Sequence, residues 1–154
     1  MFCNEKAAVL KVTDGDTMVV FVNGKVENVR LLGIDAPESK PNDKALKQTK
    51  ESTMTMGTIL QAGLTAKLYL KSLVKPGDVV ELEFDNRKRD WYQRLLAYVY
   101  IQDGRMINEL MVKNGFAKPL SYAPNIKYKE RFKKVYYWAD HDGRGLHRFA
   151  GQGM

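Results

Sequence analysis

Short runs of β-branched and apolar residues, separated by turn residues, dominate the N-terminal part of the chain and predict β-strands. Two of these runs cover residues 8–13 and 17–22. Asn23-Gly24, which follows the second run, is the dipeptide that type I′ hairpin turns prefer. We therefore expect a hairpin whose return strand continues through Ile34.

Two further strands are predicted later in the chain. Residues 79–84 alternate apolar with charged side chains, as a strand with one buried face does. Residues 95–101 form another apolar run of strand length. Together with the N-terminal runs, these segments predict five strands.

Three segments carry apolar residues at helical spacing. The longest lies between the third and fourth strands and ends at Pro76-Gly77. A short amphipathic helix around 106–111 closes at Gly115, and residues 125 to about 140 predict a third helix. The apolar positions of the longest segment, which we assign to the core, are Met56, Ile59, Leu60, Gly63, Ala66, Leu70 and Leu73.

This order of elements predicts an α+β fold, a five-stranded OB-fold β-barrel with three α-helices. No repeat or linker divides the sequence, so we expect a single domain over residues 1–154 with its core at about 7–140. The lysine-rich segment 39–50 is expected to be a solvated, mobile loop, although its position next to Glu38 also allows a binding role.

A formal net charge of +7 and a pI near 9.4 suit a polyanionic partner such as nucleic acid. Charge alone favours a merely soluble basic surface equally well. The distribution is more informative, because Trp91, Tyr92 and Tyr98 are interleaved with a basic cluster at 87–94. Bases can stack on such aromatic rings while the cations meet phosphates.

The composition argues against a membrane span. The apolar runs are shorter than the roughly 18 residues that a span needs, and residues 1–10 lack the basic start and apolar centre of a signal peptide. We therefore expect a soluble chain without membrane contact. Its single cysteine, Cys3, cannot close an intramolecular disulfide and leaves the redox compartment open.

Two acidic clusters are candidates for metal chemistry. Asp14-Gly15-Asp16-Thr17 by itself is more typical of a turn, and it does not begin an EF-hand, because Val19 and Lys25 stand where the loop requires glycine and glutamate. The cluster at 35–38 is more specific, since its proline fixes the backbone and can hold Asp35 near Glu38. The alternative is that these are surface turn acids.

Two arginines favour phosphodiester hydrolysis over a simple metal-binding turn. The transition state of that reaction carries extra negative charge on the oxygens of five-coordinate phosphorus. Forked guanidinium donors match these oxygens better than a lysine does. Arg30, before the second acidic cluster, and Arg94, before the fifth strand, are the candidates.

The acidic cluster at 14–17, the run at 30–38 and the run at 90–98 resemble the staphylococcal (micrococcal) nuclease family in composition, order and spacing. The resemblance covers approximately residues 7 to 140. It implies that Asp16 and Asp35 bind Ca²⁺ through their carboxylates and Ala36 through its backbone carbonyl. Asp14 would support these ligands without binding the ion.

The resemblance also implies roles for the remaining candidates. Glu38 would be the general base that deprotonates the attacking water, and Arg30 and Arg94 would stabilise the phosphate in the transition state. Tyr92 and Tyr122 would border the nucleotide pocket.

Several positions depart from the family pattern, and two of them lie beside Arg94. Gln93 stands where the family usually has glycine before the catalytic arginine, so a turn that needs positive φ could be strained by about 1 to 2 kcal/mol. Trp91 stands where lysine is expected, which removes a phosphate contact and offers a stacking face instead.

By this resemblance we expect a Ca²⁺-dependent nuclease, secreted or in the cell envelope, that hydrolyses DNA and RNA and leaves 3′-phosphate ends. Nucleic acid would be its partner, with single strands favoured and no obligate protein partner. The competing interpretation is a catalytically silent OB-fold module that binds nucleic acid. Glu38 and both arginines argue against that module, because a binding protein needs no general base. A third interpretation, a Ca²⁺-stabilised structural domain, does not account for the arginines or for the aromatic and basic residues around them.

Overall fold

The computed structural model describes residues 4–52 and 54–142, with side chains described as far as Ala139. Cys3 therefore lies outside the described residues. The five long strands are β1 Glu5–Asp14, β2 Thr17–Val22, β3 Lys25–Leu31, β5 Val79–Glu83 and β6 Leu95–Tyr100. Two short strands, β4 Ile34–Asp35 and β7 Lys118–Pro119, form a separate antiparallel pair.

The long strands close into a barrel in the order β1-β2-β3-β6-β5, with β5 hydrogen-bonded back to β1. The β3–β6 pair is parallel, whereas the other neighbours are antiparallel. The predicted α+β fold with a five-stranded, OB-like barrel is thus confirmed. Closure removes the free sheet edges that an open five-stranded sheet would expose.

The hairpin between β2 and β3 turns at Asn23 and Gly24, whose φ angles of 52° and 77° are the positive values that a type I′ turn requires. β3 ends at Leu31 and does not run on to Ile34 as expected. Gly33, with φ 79°, breaks the strand, and a Cβ at that position would lie 2.4 Å from the Phe132 ring. The chain therefore turns before β4.

The described residues form four helices: α1 Asp43–Glu51, α2 Met56–Leu73, α3 Ile107–Lys113 and α4 Lys129–Asp142. The prediction of three helices was wrong because α1 occupies the segment expected to be a loop. Asn42 caps α1, its side chain accepting a hydrogen bond from the Ala45 amide at 2.8 Å. Ala45 is buried, and α1 packs against α2.

Alternate residues of the strands fill the barrel. In β2, Met18, Val20 and Val22 are buried while their neighbours are more exposed. Helices α3 and α4 contribute to the same core. None of the helices in the described part of the chain is long and apolar enough to cross a membrane.

Buried Asn108 on α3 ties the helix to the barrel. Its side chain accepts a hydrogen bond from the Val99 amide at 2.9 Å and donates to the carbonyls of Leu32 at 2.8 Å and Ala97 at 3.2 Å. An unpaired amide in the core would cost about 1 to 3 kcal/mol, so this network specifies one position for α3. It also fixes the turn that leads into β4.

Candidate active site

The turn between β1 and β2 brings Asp16 into the interior. Asp16 is only 4% exposed, and its Oδ2 accepts a hydrogen bond from the Ala36 amide at 2.8 Å. The turn fits because Gly15 has no side chain: a Cβ there would lie 2.7 Å from the Cβ of Ala66 on α2 and 2.9 Å from that of Ala36. The first acidic cluster is therefore a packed feature and not a solvated surface turn.

Arg30 connects the two acidic clusters. It pairs with Thr17 in the β2–β3 register, which places its side chain beside the β1–β2 turn. Its Nη2 lies 3.2 Å from Asp35 Oδ1 and 3.4 Å from Asp16 Oδ2, while its Nη1 donates to the Leu31 carbonyl at 2.6 Å. Two carboxylates distant in sequence thus share one guanidinium.

A second cation, Lys44 of α1, sits within the same group. Its Nζ lies 2.8 Å from Asp35 Oδ1, 3.2 Å from Glu38 Oε1 and 3.9 Å from Asp16 Oδ2. Desolvation acts to lower the pKa of Lys44, but the charges of Asp16 and Asp35 outweigh it, so the net shift is upward. The ammonium therefore stays charged at the point where three carboxylates converge.

The backbone of Glu38 is held from two sides. Its amide donates to Gln48 Oε1 of α1 at 3.3 Å, and its carbonyl rests on Gly63 of α2. At the side chain, Asn42 Nδ2 donates to Oε2 at 3.1 Å. Glu38 is thus positioned by both helices, with its side chain only 12% exposed.

Asp14 lies at the edge of the cluster. It accepts a hydrogen bond from the Ser39 hydroxyl at 2.5 Å, which ties the segment after Glu38 to the end of β1. Burial raises the pKa of the Asp14 carboxyl, the bond from Ser39 opposes that rise, and the charges of Glu38 and Asp16 add to it.

Arg94 is held in a tight turn of its own. The Asp90 carboxylate accepts hydrogen bonds from the Tyr92 and Arg94 amides, both at 2.9 Å, and from Arg94 Nε at 2.7 Å. Gln93 in this turn has φ 65°, so the expectation that a non-glycine residue adopts positive φ here is confirmed. Within the described part of the chain, the Arg94 side chain hydrogen-bonds through Nε, to Asp90, and not through its terminal Nη groups.

A groove of about 430 Å³ joins these two parts of the site. Its lining includes cationic groups from both halves and two exposed aromatic rings: Arg30, Lys44, Arg87, Arg94, Trp91 and Tyr122. Trp91 is 86% exposed and Tyr122 73%. Tyr92 is outside this lining, with the Arg94 guanidinium 5.6 Å from its ring centroid.

The predicted site residues thus fall into two groups. Asp16, Asp35 and Glu38 meet around Lys44, and Arg30 contacts Asp16 and Asp35. Ala36 is bonded to Asp16 through its amide. The second group, Arg94, Tyr92 and Tyr122, belongs to the groove and its rim.

Sequence reasoning missed the contributions of Lys44, Asn42 and Gln48, because the segment that carries them was expected to be a loop. A helix signal was present: Asn42 is a favoured N-cap, Asp43 stands in the first turn and Lys50 in the last.

Within the described residues, no three carboxylate, imidazole or thiol groups lie in a ready-made metal-binding arrangement. The donor chemistry nevertheless fits a hard divalent cation, since carboxylate oxygens of Asp16, Asp35 and Glu38 already face one positive charge. The Lys44 ammonium occupies the point where these oxygens converge. A divalent ion could bind there only if the ammonium moved away.

The barrel and its site define an OB-like protein with a cationic, aromatic groove beside buried carboxylates. A family model described as staphylococcal nuclease homologue matches residues 28–148. The chain belongs to the staphylococcal nuclease family, as its three sequence segments indicated.

Three curated relatives illustrate the relationship. The thermonuclease of Staphylococcus hyicus is 37% identical over 128 residues, which cover 82% of this chain and 66% of the relative. From Bacillus subtilis strain 168, the SPbeta prophage-derived endonuclease YokF is 40% identical over 126 residues, covering 80% and 38%. Endonuclease YncB of the same strain is 38% identical over 122 residues, covering 78% and 51%. The matched region thus spans between 38% and 66% of the length of these relatives.

Proposed function

We propose that this chain hydrolyses phosphodiester bonds within DNA and RNA in a Ca²⁺-dependent reaction that leaves 3′-phosphate ends. The observation that carries the proposal is the convergence of Asp16, Asp35 and Glu38 on one cationic point, beside a groove lined by Arg30 and Arg94. Relatives named thermonuclease and endonuclease support the reaction class.

Asp16 and Asp35, with the Ala36 carbonyl, are the proposed ligands of Ca²⁺, which when bound would neutralise phosphate charge and lower the pKa of water. These ligands come from the β1–β2 turn and from β4, two separate segments. An assembly of this kind suits the flexible coordination of Ca²⁺ better than the strict octahedron of Mg²⁺.

Glu38 is proposed to accept the proton of the attacking water. As the water oxygen bonds to phosphorus, the bond from phosphorus to the 5′ oxygen breaks, and that oxygen leaves as a hydroxyl after gaining a proton from solvent. Asn42 and Gln48 support Glu38 in this role because they hold its carboxylate and amide.

Arg30 and Arg94 are proposed to bind the non-bridging oxygens of the phosphate. No hydrogen bond joins the Arg94 Nη groups to any of the described residues, and Asp90 fixes the turn that carries Arg94. Little further ordering of the Arg94 side chain is therefore needed when it binds the substrate. Arg30 is already oriented by the Leu31 carbonyl. The two guanidinium groups would bear the extra charge of the transition state.

The groove supports binding through phosphates and stacking rather than through base reading. Exposed rings of Tyr92 and Tyr122 can stack only on bases that have left a duplex, so single strands and breathing A·T-rich duplex are the favoured substrates. A flat ring does not discriminate the sugar, which is consistent with action on both DNA and RNA.

The test is cleavage of end-labelled single-stranded and duplex DNA and RNA by the purified chain, with Ca²⁺ or with chelator. We expect internal cuts only with Ca²⁺, faster on single strands, and product ends that become extendable after removal of a 3′-phosphate. Binding without cleavage in the presence of Ca²⁺ would instead identify a catalytically silent nucleic-acid-binding module.

A further inference from the structure

Lys44 is the one α1 side chain described as reaching all three carboxylates of the candidate site. It projects from the second position of a helix that Asn42 caps, and its ammonium contacts Asp16, Asp35 and Glu38. Its neighbour one turn later, Lys47, is 73% exposed and pairs with Glu51 at 3.7 Å, the usual arrangement of a lysine on a solvated helix face. Lys44 therefore differs from an ordinary surface lysine in its position.

The charges of the cluster explain why a cation is needed there. Asp16 and Asp35 contact both Arg30 and Lys44, and Glu38 contacts Lys44, in a partly buried place. Without Lys44 the carboxylates would repel one another, and Glu38 would lose the ion pair that links it to Asp35. A divalent ion bound by Asp16 and Asp35 would take the place of the ammonium on those carboxylates, so Lys44 and the ion are alternatives.

The surroundings of Lys44 also allow its ammonium to move away from the carboxylates. Its side chain is 40% exposed and lines the groove, so its flexible stem can carry the ammonium from the carboxylates into open space without moving α1. The groove is where a phosphate would lie, and an ammonium released there would meet a negative charge.

We infer that Lys44 is a resident cation that occupies the metal position, holds Asp35 and Glu38 together while no metal is bound, and is displaced when Ca²⁺ enters. The inference rests on the proposed function for the identity of the ion. It makes Lys44 a positioning residue that also sets how tightly the ion binds.

Calorimetric titration of Ca²⁺ into wild type and Lys44→Met tests this directly, because methionine keeps the unbranched stem without the charge. Lys44→Met should bind Ca²⁺ about 3- to 5-fold more tightly, the upper end of the range for a partly exposed ion pair. Lys47→Met on the same helix is the matched control and should change the affinity less than about twofold. Lys44→Gln provides a second variant if methionine disturbs the fold, as checked by circular dichroism.

Thermal unfolding gives an independent readout. In chelator, Lys44→Met should melt below both wild type and Lys47→Met, because its carboxylates lack their cation. Saturating Ca²⁺ should raise its melting temperature by more than that of wild type, since stabilisation by a ligand grows with its affinity.

Two outcomes separate the inference from the proposed function. If Ca²⁺ binds wild type, Lys44→Met and Lys47→Met with equal affinity and equal thermal shifts, the role of Lys44 is overturned while the calcium site stands. If none of the three proteins binds Ca²⁺, the metal assignment falls, and the inference falls with it.

Discussion

Gly63 of α2 lies directly against the backbone of Glu38: a Cβ at Gly63 would stand 2.1 Å from the Glu38 carbonyl oxygen and 2.3 Å from the carbonyl carbon. Such contacts are far inside van der Waals distance, so no side chain fits between helix and glutamate. Gly63 looks like one more apolar position of a helix in the sequence, yet it sets where the proposed general base lies.

Gly63→Ala should therefore displace Glu38. We expect a loss of about 1 to 3 kcal/mol in the free energy of unfolding, as for other overpacked sites, together with reduced turnover. Gly57→Ala on the same helix is the matched control, because a Cβ there meets nothing within 4 Å. The control should leave turnover unchanged and stabilise the helix by up to about 1 kcal/mol. Urea unfolding measures the stability of both variants, and initial cleavage rates measure their turnover. Normal turnover in Gly63→Ala would show that Gly63 does not set the position of Glu38.

Glu38→Gln should lower turnover by about 10²- to 10⁴-fold, the range for loss of a general base. The fold and most of the nucleotide affinity should remain, since glutamine keeps the size of the side chain. Glu51→Gln, at a 63% exposed position on α1, is the control and should cleave normally. Near-normal turnover of Glu38→Gln at saturating Ca²⁺ would show that another group activates the water.

Calcium should support cleavage far better than magnesium, because oxygens from separate segments form a loose site for a large ion. Rates measured across a titration of each ion, in metal-free buffer, check this expectation. Asp16→Ala should weaken Ca²⁺ binding in calorimetry, since it removes a proposed ligand that is already oriented by the Ala36 amide. Equal rates with both ions would refute the metal assignment.

Trp91 should report on single-stranded substrate. A Trp138→Phe variant leaves Trp91 as its tryptophan, and single-stranded DNA should quench its fluorescence when a base stacks on the exposed indole. In Trp91→Phe the remaining Trp138, which lies on α4 outside the groove lining, should change little. When the logarithm of the binding constant for single-stranded DNA is plotted against the logarithm of the salt concentration, the slope should be near −0.7 per phosphate contacted. If single-stranded DNA quenched only Trp138, the DNA would bind outside the groove.

Gln93→Gly should relieve the backbone strain of the Asp90 turn. A non-glycine residue at φ 65° costs about 1 to 2 kcal/mol. Glycine would recover only part of this stability, because it also makes the unfolded chain more flexible. We expect a gain of up to about 1 kcal/mol in urea unfolding, with Arg94 still bound to Asp90. A loss of stability would show that the Gln93 side chain makes a compensating contact.

The sequence by itself determined the barrel. Alternating and β-branched runs show which face of a strand is buried. Asn23-Gly24 specifies the hairpin turn, because few residues tolerate the positive φ angles that the turn needs at both positions. These are local properties, so the strands and the long helix α2 followed directly. The positive φ of Gln93 followed instead from the resemblance to the family, which usually has glycine there.

The tertiary structure alone decided how the site is assembled. Helix α1 is mostly polar and buries Ala45, so it has too few apolar residues to stand out in the sequence. Its cap and its packing against α2 define it instead. Lys44 reaches Asp16 only because the β1–β2 turn, β4 and α1 meet in space. Likewise, the contact of Gly63 with Glu38 depends on how α2 lies against the segment after β4. Distances between segments far apart in sequence arise from packing, which local patterns of polarity do not encode.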